Sequence, residues 1–171
     1  MSLKEGLFER YIRKHPQKQS GFPNWEKVRN ICILAEAATD DQEALALADC
    51  SGQLENTGKT VQLITYADGS ERTGQGLVFC RKDFSLFGRP HKDVMDRLAK
   101  PVDLLIDLTK RPLLPMRYLA FCTNARFKAG RKLSEKDKDG IHNMLIQTDN
   151  TDTEFVFRQI IHYIETIRSN D

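Results

Sequence analysis

Apolar residues recur at every third or fourth position near both ends of the chain. That spacing places them on one face of an α-helix and predicts helices over 3–14 and 153–168. Thr151 or Asp152 would cap the start of the second helix. The apolar faces consist of Leu3, Leu7, Phe8, Tyr11 and Ile12 in the first helix, and of Phe157, Ile160, Ile161, Ile164 and Ile167 in the second.

Between these helices, short apolar runs bounded by turn-forming residues predict β-strands. The run VDLLIDL, residues 102–108, is apolar on both faces, as a central parallel strand covered by two helix layers would be. The predicted strands are 28–37, 61–67, 76–80, 102–108, 126–130 and 143–148.

Helical segments separate most of these strands. Asp40 with Glu43 three residues later is typical of a helix start, because a carboxylate there accepts from unpaired main-chain N–H groups. Gly58 is typical of a helix stop. The predicted internal helices are 40–54, with Ala44, Leu47 and Leu54 facing inward, 93–98, with Val94 and Leu98 inward, and 113–125.

The alternation of strands and helices predicts an α/β fold. We expect a three-layer, mostly parallel sheet of Rossmann-like or flavodoxin-like type, with helices on both faces. The turn signal DGS at 68–70 predicts that strands 61–67 and 76–80 pair as a hairpin at one edge. We expect residues 1–24 to form an N-terminal helix and a connector broken by prolines, and 25–171 to form one α/β domain.

The N-terminal helix has two interpretations. Its apolar face, with cations opposite, suits packing against its own domain or against a partner subunit, which would make a homo-oligomer. The other interpretation is a helix lying on a membrane surface. Glu5, Glu9 and the short length of the segment weaken the membrane interpretation.

Composition narrows the classes of function. A net charge of +2 in 171 residues does not favour nucleic acid as a partner. No apolar run approaches the roughly 20 residues of a membrane span, and the first residues lack a signal-peptide core, so we expect a cytoplasmic protein. The four cysteines lack C-x-x-C spacing and are expected to be buried, reduced thiols: Cys32, Cys50, Cys80 and Cys122.

Familiar catalytic and cofactor motifs are absent from the sequence. No G-x-G-x-x-G follows a strand, and no phosphate-binding G-x-x-x-x-G-K-[ST] loop or G-x-S-x-G elbow occurs. GQG at 74–76 lies between two predicted strands, not before a helix. The histidines show no ligand-like spacing. We therefore expect neither a metal nor a cofactor.

A candidate binding site follows from the sheet prediction, because open α/β sheets bind ligands beyond the carboxyl ends of their strands. Glu36, Thr39, Asp40 and Asp41 follow the first strand, and Asp149, Asn150 and Thr151 follow the last. The candidate ligand-binding residues follow two strands between them: Asp107, Thr109, Lys110 and Arg111 after 102–108, and Arg131 and Lys132 after 126–130.

The charge distribution points to an anion at this site. Residues 110–139 contain nine Lys or Arg and three acids, a local charge of +6, which leaves −4 for the rest of a chain with net +2. Lys110 and Arg111 would stand at a helix start, where the helix dipole disfavours cations. Placing them there suggests a phosphate or carboxylate partner. The alternative is that both side chains extend into water.

Asp107 is the carboxylate best placed for a polar role. It follows a buried strand directly and would lie beside the predicted cations. The alternative is structural, with Asp107 capping the next turn through the N–H groups of Thr109 and Lys110.

Four segments carry a family resemblance over most of the chain: DFSLFGRP (83–90), PVDLLIDLT (101–109), ARFKAG (125–130) and FRQIIHYIETI (157–167). The chain resembles an uncharacterised family of small proteins from Bacteroidetes-type bacteria. The resemblance implies a compact α/β fold and brings no known activity, so it implies no catalytic residues.

A second resemblance covers only residues 103–130. DLLIDLT, a helix and then NARFKAG are similar to a segment in the N-terminal half of heptosyltransferase-like GT-B glycosyltransferases. The chain lacks the second Rossmann-like half that such enzymes use for a sugar nucleotide. It also has Asn124 where a glycine is usual. The resemblance therefore supports the sheet and not a transferase activity.

Two functions follow from these observations. The first is a non-catalytic α/β module that binds a partner protein or a small anionic molecule at the strand carboxyl ends. The second is a small, transferase-like enzyme that acts on a phosphorylated or nucleotide substrate with Asp107 and the nearby cations. A deep cleft at that edge would favour the enzyme.

Overall fold

In the computed structural model, which describes residues 2–18, 20–133 and 140–167, one parallel sheet is covered by helices on both faces. The strands are β1 (Asn30–Glu36), β2 (Thr60–Ala67), β3 (Leu77–Cys80), β4 (Val102–Asp107), β5 (Ala125–Arg131) and β6 (Met144–Ile146). The helices are α1 (Leu3–Lys14), α2 (Asp41–Glu55), α3 (Lys92–Leu98), α4 (Leu114–Cys122) and α5 (Thr153–Thr166).

The strand order is β3-β2-β1-β4-β5-β6, and each neighbouring pair is parallel. The predicted α/β fold is confirmed, with the order of the doubly wound Rossmann fold and not that of flavodoxin. Chain connections leave β1 and β4 in opposite directions. The carboxyl ends of these two central strands therefore form the switch point at which ligands bind in such sheets.

The predicted hairpin between β2 and β3 is wrong, because the two strands pair in parallel. Residues 68–76 instead return across one face of the sheet, which requires close contact between main chains. A Cβ built on Gly76, where φ is +71°, would lie 2.3 Å from the carbonyl oxygen of Leu63. A Cβ built on Gly74, where φ is +152°, would lie 3.0 Å from the Thr65 hydroxyl oxygen. The two glycines of GQG thus serve this crossover.

Two apolar cores lie on opposite faces of the sheet. On one face, α2 and α5 cover residues such as Ile33, Leu104 and Phe127. On the other face, α1, α3 and α4 cover residues such as Leu34 and Leu105. Neighbouring strand residues point to opposite faces, so β1 and β4 contribute to both cores.

The helix boundaries are close to those predicted. Asp40 and Asp152 cap α2 and α5, each accepting from a main-chain N–H three residues later at 2.8 Å. In α5, Phe157, Ile160 and Ile164 are buried as predicted, whereas Ile167, which follows the helix, is 37% exposed.

α1 packs against its own fold. The Phe8 ring is buried, with its centroid 4.4 Å from that of Tyr118 on α4. The connector after α1 then runs to the start of β1.

α4 begins at Leu114, later than predicted. Lys110 and Arg111 lie in the segment between β4 and α4, which has no regular secondary structure, and not at the helix start. Proline follows directly at position 112, which disfavours a helical conformation for Arg111. The helix-dipole argument for their placement is thus wrong, and another interaction must hold these cations.

Candidate functional site

The side chain of Glu36 lies at the switch point, where it binds the segment that follows β4. Its Oε1 accepts from the main-chain N–H groups of Lys110 at 3.1 Å and of Arg111 at 2.9 Å. Its Oε2 accepts from Arg111 Nε at 2.8 Å and lies 2.7 Å from Arg111 Nη2. Two successive main-chain N–H groups and a guanidinium together form a carboxylate-binding site.

The strand register explains this contact. Leu34 on β1 is the partner of Asp107 on β4, so Glu36, two residues further along, is level with the chain after β4. The Glu36 side chain is only 17% exposed, whereas the Arg111 side chain is 56% exposed. The hydrogen bond and the charge of Glu36 raise the pKa of Arg111 above its ordinary value. The anion beside Arg111 is therefore one that the chain itself supplies.

Lys110 is also held by an acid of the same chain. Its Nζ lies 2.9 Å from Oε2 of Glu43, in the first turn of α2. The other carboxylate oxygen of Glu43 accepts from the hydroxyl of Thr153 at the start of α5. The cation thus ties the segment after β4 to both helices of one face.

Asp107 has a structural partner and a second, unpredicted one. Its Oδ1 accepts from the main-chain N–H of Thr109 at 3.0 Å and from the Thr109 hydroxyl. Its Oδ2 lies 2.9 Å from Nε2 of His142, and both side chains are 8% exposed. The capping interpretation is confirmed for Thr109, but the N–H of Lys110 binds Glu36 instead.

His142 was missed because it precedes β6 and lies far from Asp107 in sequence. The only local signal is Gly130 at the end of β5, which pairs with Asp107 in the sheet. A Cβ built on Gly130 would lie 3.0 Å from two atoms of the His142 ring. The absent side chain leaves room for the imidazole beside the carboxylate.

The remaining candidate residues lie around this centre. Arg131 donates from Nη2 to the main-chain oxygen of Lys110 at 3.0 Å. Lys132 donates its main-chain N–H to Ile146 at 2.9 Å, which continues the pairing of β5 with β6. Residues 134–139 of the basic stretch, Lys136 and Lys138 among them, lie outside the described residues.

Little space adjoins the buried pair. The recess lined by Asp107, Thr109, Arg131 and His142 has a volume of about 20 Å³, which suits a single water molecule. A larger hollow of about 370 Å³ lies beside the ends of β1 and β2, lined by Ala37, Thr39, Asp68 and Ser70 among others. Next to Glu36, the space for a ligand body therefore lies on the β1 side.

The cysteines offer little nucleophilic chemistry. Cys32, Cys50 and Cys80 are buried and all four cysteines are unpaired with one another, as predicted, but Cys122 is only half-buried. Burial raises the pKa of the Cys32 and Cys50 thiols to about 12, so both stay protonated at neutral pH. Within the described ranges, no group of three His, Cys, Asp or Glu side chains is placed to hold a metal ion.

A family model for a family of unknown function, DUF6913, matches residues 4–167. The chain belongs to DUF6913. The predicted membership of an uncharacterised family is thereby confirmed, whereas the bacterial source and the likeness to glycosyltransferases stay predictions. No curated protein and no solved structure matches the chain.

Membership of DUF6913 brings no activity, so the side chains described above carry the functional argument. Among the described residues of this DUF6913 chain, no helix has both the length and the apolar character needed to cross a membrane.

Proposed function

We propose that the protein is a non-catalytic, cytoplasmic α/β module that binds a small anionic ligand at the carboxyl ends of β1 and β4. The ligand's carboxylate or phosphate would take the position of the Glu36 carboxylate. One observation carries this proposal. The N–H groups of Lys110 and Arg111 and the Arg111 guanidinium converge on one anionic group. Donors in that arrangement suit any planar carboxylate or a phosphate.

Exchange of the internal carboxylate for an external one is physically reasonable at this position. Arg111 is more than half exposed, so the Glu36 contact is solvent-screened on one side. Glu36 is the last residue of β1, at the carboxyl end of the strand. The hollow lined by Ala37 and Asp68 begins directly beside it and offers space for the body of a ligand.

Lys110 and Arg131 would supply further positive charge. Lys110 lies against Glu43 but is 35% exposed, and the Arg131 guanidinium contacts the main chain at the same residue. The hydrogen bonds between Asp107 and Thr109 would fix the conformation of the segment that follows β4. Lys132 is the first residue after β5.

Titration calorimetry with citrate and with inorganic phosphate tests this proposal. We expect the wild-type chain to bind citrate weakly and Glu36→Ala to bind it at least tenfold more tightly, because the competing carboxylate is gone. Lys110→Ala combined with Arg111→Ala should abolish binding without unfolding the domain. Arg158→Gln, on the exposed face of α5, is the matched control and should bind like the wild type.

Absence of anion binding to the folded protein would overturn the proposal. If neither the wild type nor Glu36→Ala binds citrate or phosphate at millimolar concentration, while circular dichroism shows both to be folded, no exchangeable anion site exists there.

Binding of a partner protein is a second candidate, favoured by apolar side chains on the surface. Leu86, at the tip of the turn 85–88, is 87% exposed, and Phe87 beside it is half exposed. Leu3 on α1 is 74% exposed. Since packing against a partner subunit is one interpretation of the N-terminal helix, we test self-association first. Analytical ultracentrifugation compares the wild type with two double variants, Leu3→Ser with Leu7→Ser and Leu86→Ser with Phe87→Ser. It shows whether self-association needs either apolar patch. A wild-type chain that stays monomeric at high concentration would exclude a homo-oligomer.

The small enzyme is the remaining alternative, and the Asp107–His142 pair is the observation that favours it. A carboxylate hydrogen-bonded to an imidazole can orient a general base. The recess of about 20 Å³ beside the pair has no room for a phosphorylated or nucleotide substrate. A nucleotide or sugar phosphate that raises the melting temperature of the wild type, but not that of Asp107→Asn, would support the enzyme.

A further inference from the structure

A large cavity lies at the amino ends of the strands, on the opposite side of the sheet from the Glu36 site. It has a volume of about 930 Å³ and lies between the connector after α1 and the amino ends of β4 and β5. A volume of this size suits a drug-sized molecule. Its existence could not be predicted from the rule for strand carboxyl ends, which directs attention to the other edge.

The connector forms one wall of this cavity and is attached at several points. The amide of Gln17 donates to the main-chain oxygen of Phe121, at the end of α4, and the hydroxyl of Ser20 donates to that of Arg126 on β5. The ring of Phe22 lies 5.0 Å from that of Phe127, centroid to centroid. The connector is thus held by side chains, and the cavity has an aromatic wall.

The charge of the lining is strongly one-sided. Asp103 is its one acid among the described residues, and both partners of its Oδ2 are main-chain N–H groups at the start of β1, at 2.8 and 2.9 Å. The cations of the lining are Lys18, Lys27, Arg126 and Lys128.

Lys128 is the unusual member of this set. Its side chain is 2% exposed, and its Nζ donates to the main-chain oxygens of Ala120 at 2.8 Å and Phe121 at 2.7 Å. Phe121 accepts from Gln17 through the same oxygen, so the amine lies directly beside the connector. An ammonium has three N–H groups, and these contacts use two of them. Burial lowers the pKa of this amine to about 7, and an anionic ligand at the wall of the cavity would favour its charged form.

We infer that this cavity is a second binding site, which takes a small organic anion with an apolar body. Its acid group would be held by Arg126 and Lys18, near the Lys128 amine, and its body would pack against Phe22. The site is independent of the Glu36 site, since it lies at the other edge of the sheet and shares none of its residues.

The test uses two probes of equal size, 2-naphthoate and its neutral amide, 2-naphthamide, in titration calorimetry with the full chain. We expect the wild type to bind naphthoate at least tenfold more tightly than naphthamide. Arg126→Gln combined with Lys18→Gln changes two exposed side chains and should bring naphthoate affinity down to that of the amide. Phe22→Ala should weaken both probes.

Two controls distinguish this site from others. Arg81→Gln combined with Lys82→Gln removes two exposed cations near β3 and should leave both affinities unchanged. Lys110→Ala with Arg111→Ala should also leave naphthoate binding unchanged. If that variant loses naphthoate instead, the probe binds at the Glu36 site and the inference is overturned. Equal affinity for the two probes in the wild type, or naphthoate binding unaffected by the Arg126 and Lys18 changes, would overturn it as well.

Discussion

The carboxylate of Glu36 bridges the side chain and the main chain of Arg111, at 2.8 Å from Nε and 2.9 Å from the main-chain N. The contact joins the ends of the two central strands across the switch point of the sheet. In doubly wound folds this is where a ligand's charged group lies. Here a residue of the chain holds that position, so any external anion must compete with Glu36.

Replacing Glu36 should therefore have opposite effects on folding and on binding. Glu36→Ala leaves two main-chain N–H groups and a guanidinium without their acceptor, so we expect the free energy of unfolding to fall by about 1–2 kcal/mol. Glu36→Gln keeps one oxygen acceptor and should lose less. Urea denaturation of the three proteins measures this, and equal stability of all three would show that water replaces the carboxylate without cost.

Gly76→Ala should destabilise the fold severely. The added Cβ would lie 2.3 Å from a carbonyl oxygen on β2, and φ of +71° is itself unfavourable for alanine. We expect a loss of at least about 2 kcal/mol in urea denaturation. Gly52→Ala is the matched control, because Gly52 lies within α2 with nothing within 4 Å of the new Cβ. That substitution should raise stability by about 0.5–1 kcal/mol. Similar effects of the two changes would contradict the proposed crossover geometry.

The hydroxyl of Thr109 should stabilise the fold through Asp107. Thr109→Val keeps the shape of the side chain but removes the hydroxyl from a residue that is 5% exposed. We expect the free energy of unfolding to fall by about 1–2 kcal/mol, whereas Thr109→Ser, which retains the donor, should lose less. A valine variant at least as stable as the serine variant would show that the hydrogen bond contributes nothing.

Lys128 should make stability depend on pH. Burial lowers the pKa of its ammonium group from 10.5 to about 7, against the opposing influence of Cys122, Asp107 and Cys32, which face it from α4, β4 and β1. Between pH 7 and 10.5 the unfolded chain therefore binds more protons than the folded one, so this group makes stability rise with pH. Below about pH 7 the lysine is protonated in both states and the slope vanishes.

The measurement is the difference in unfolding free energy between the wild type and Lys128→Met at pH 6.0, 7.0, 7.5, 8.0 and 8.5. We expect this difference to shift in favour of the wild type as pH rises above 7, by at most about 1.4 kcal/mol per pH unit. Lys92→Met, at an exposed position, should show no such trend. A constant difference from pH 6.0 to 8.5 would mean that Lys128 titrates alike in both states.

The sequence predicts the positions of the strands and helices well, but not which strands lie side by side in the sheet. Apolar periodicity locates β1, β4 and α5 because each has a strongly apolar face or interior. The pairing of β2 with β3 was predicted wrongly, since a DGS turn looks the same at the start of a hairpin and of a crossover. Strand order is a long-range property, and the contact of Glu36 with Arg111 requires β1 beside β4. The sequence places Glu36 and Arg111 after two strands, but it does not show that these strands are adjacent.

The contacts of the buried polar groups likewise depend on strand order, which the sequence does not show. His142 reaches Asp107 only because β6 adds to β5, and Lys128 looks like an ordinary polar residue of a half-exposed strand. Its position within the run RFKAG, where alternation would point it toward α4, was the available signal. The cavity at the amino ends of β4 and β5 depends on the path of the connector after α1, which local sequence patterns do not specify.

The central claim, that Glu36 holds the position of an exchangeable anion, is tested most directly by following the main-chain amide resonances of Lys110 and Arg111 by nuclear magnetic resonance during a citrate titration. We predict that both resonances shift and saturate at the same citrate concentration. In Glu36→Ala the same shifts should occur at a concentration at least tenfold lower. If both amides stay unshifted in the wild type and in Glu36→Ala, the Glu36 contact is purely structural and the proposed ligand site does not exist.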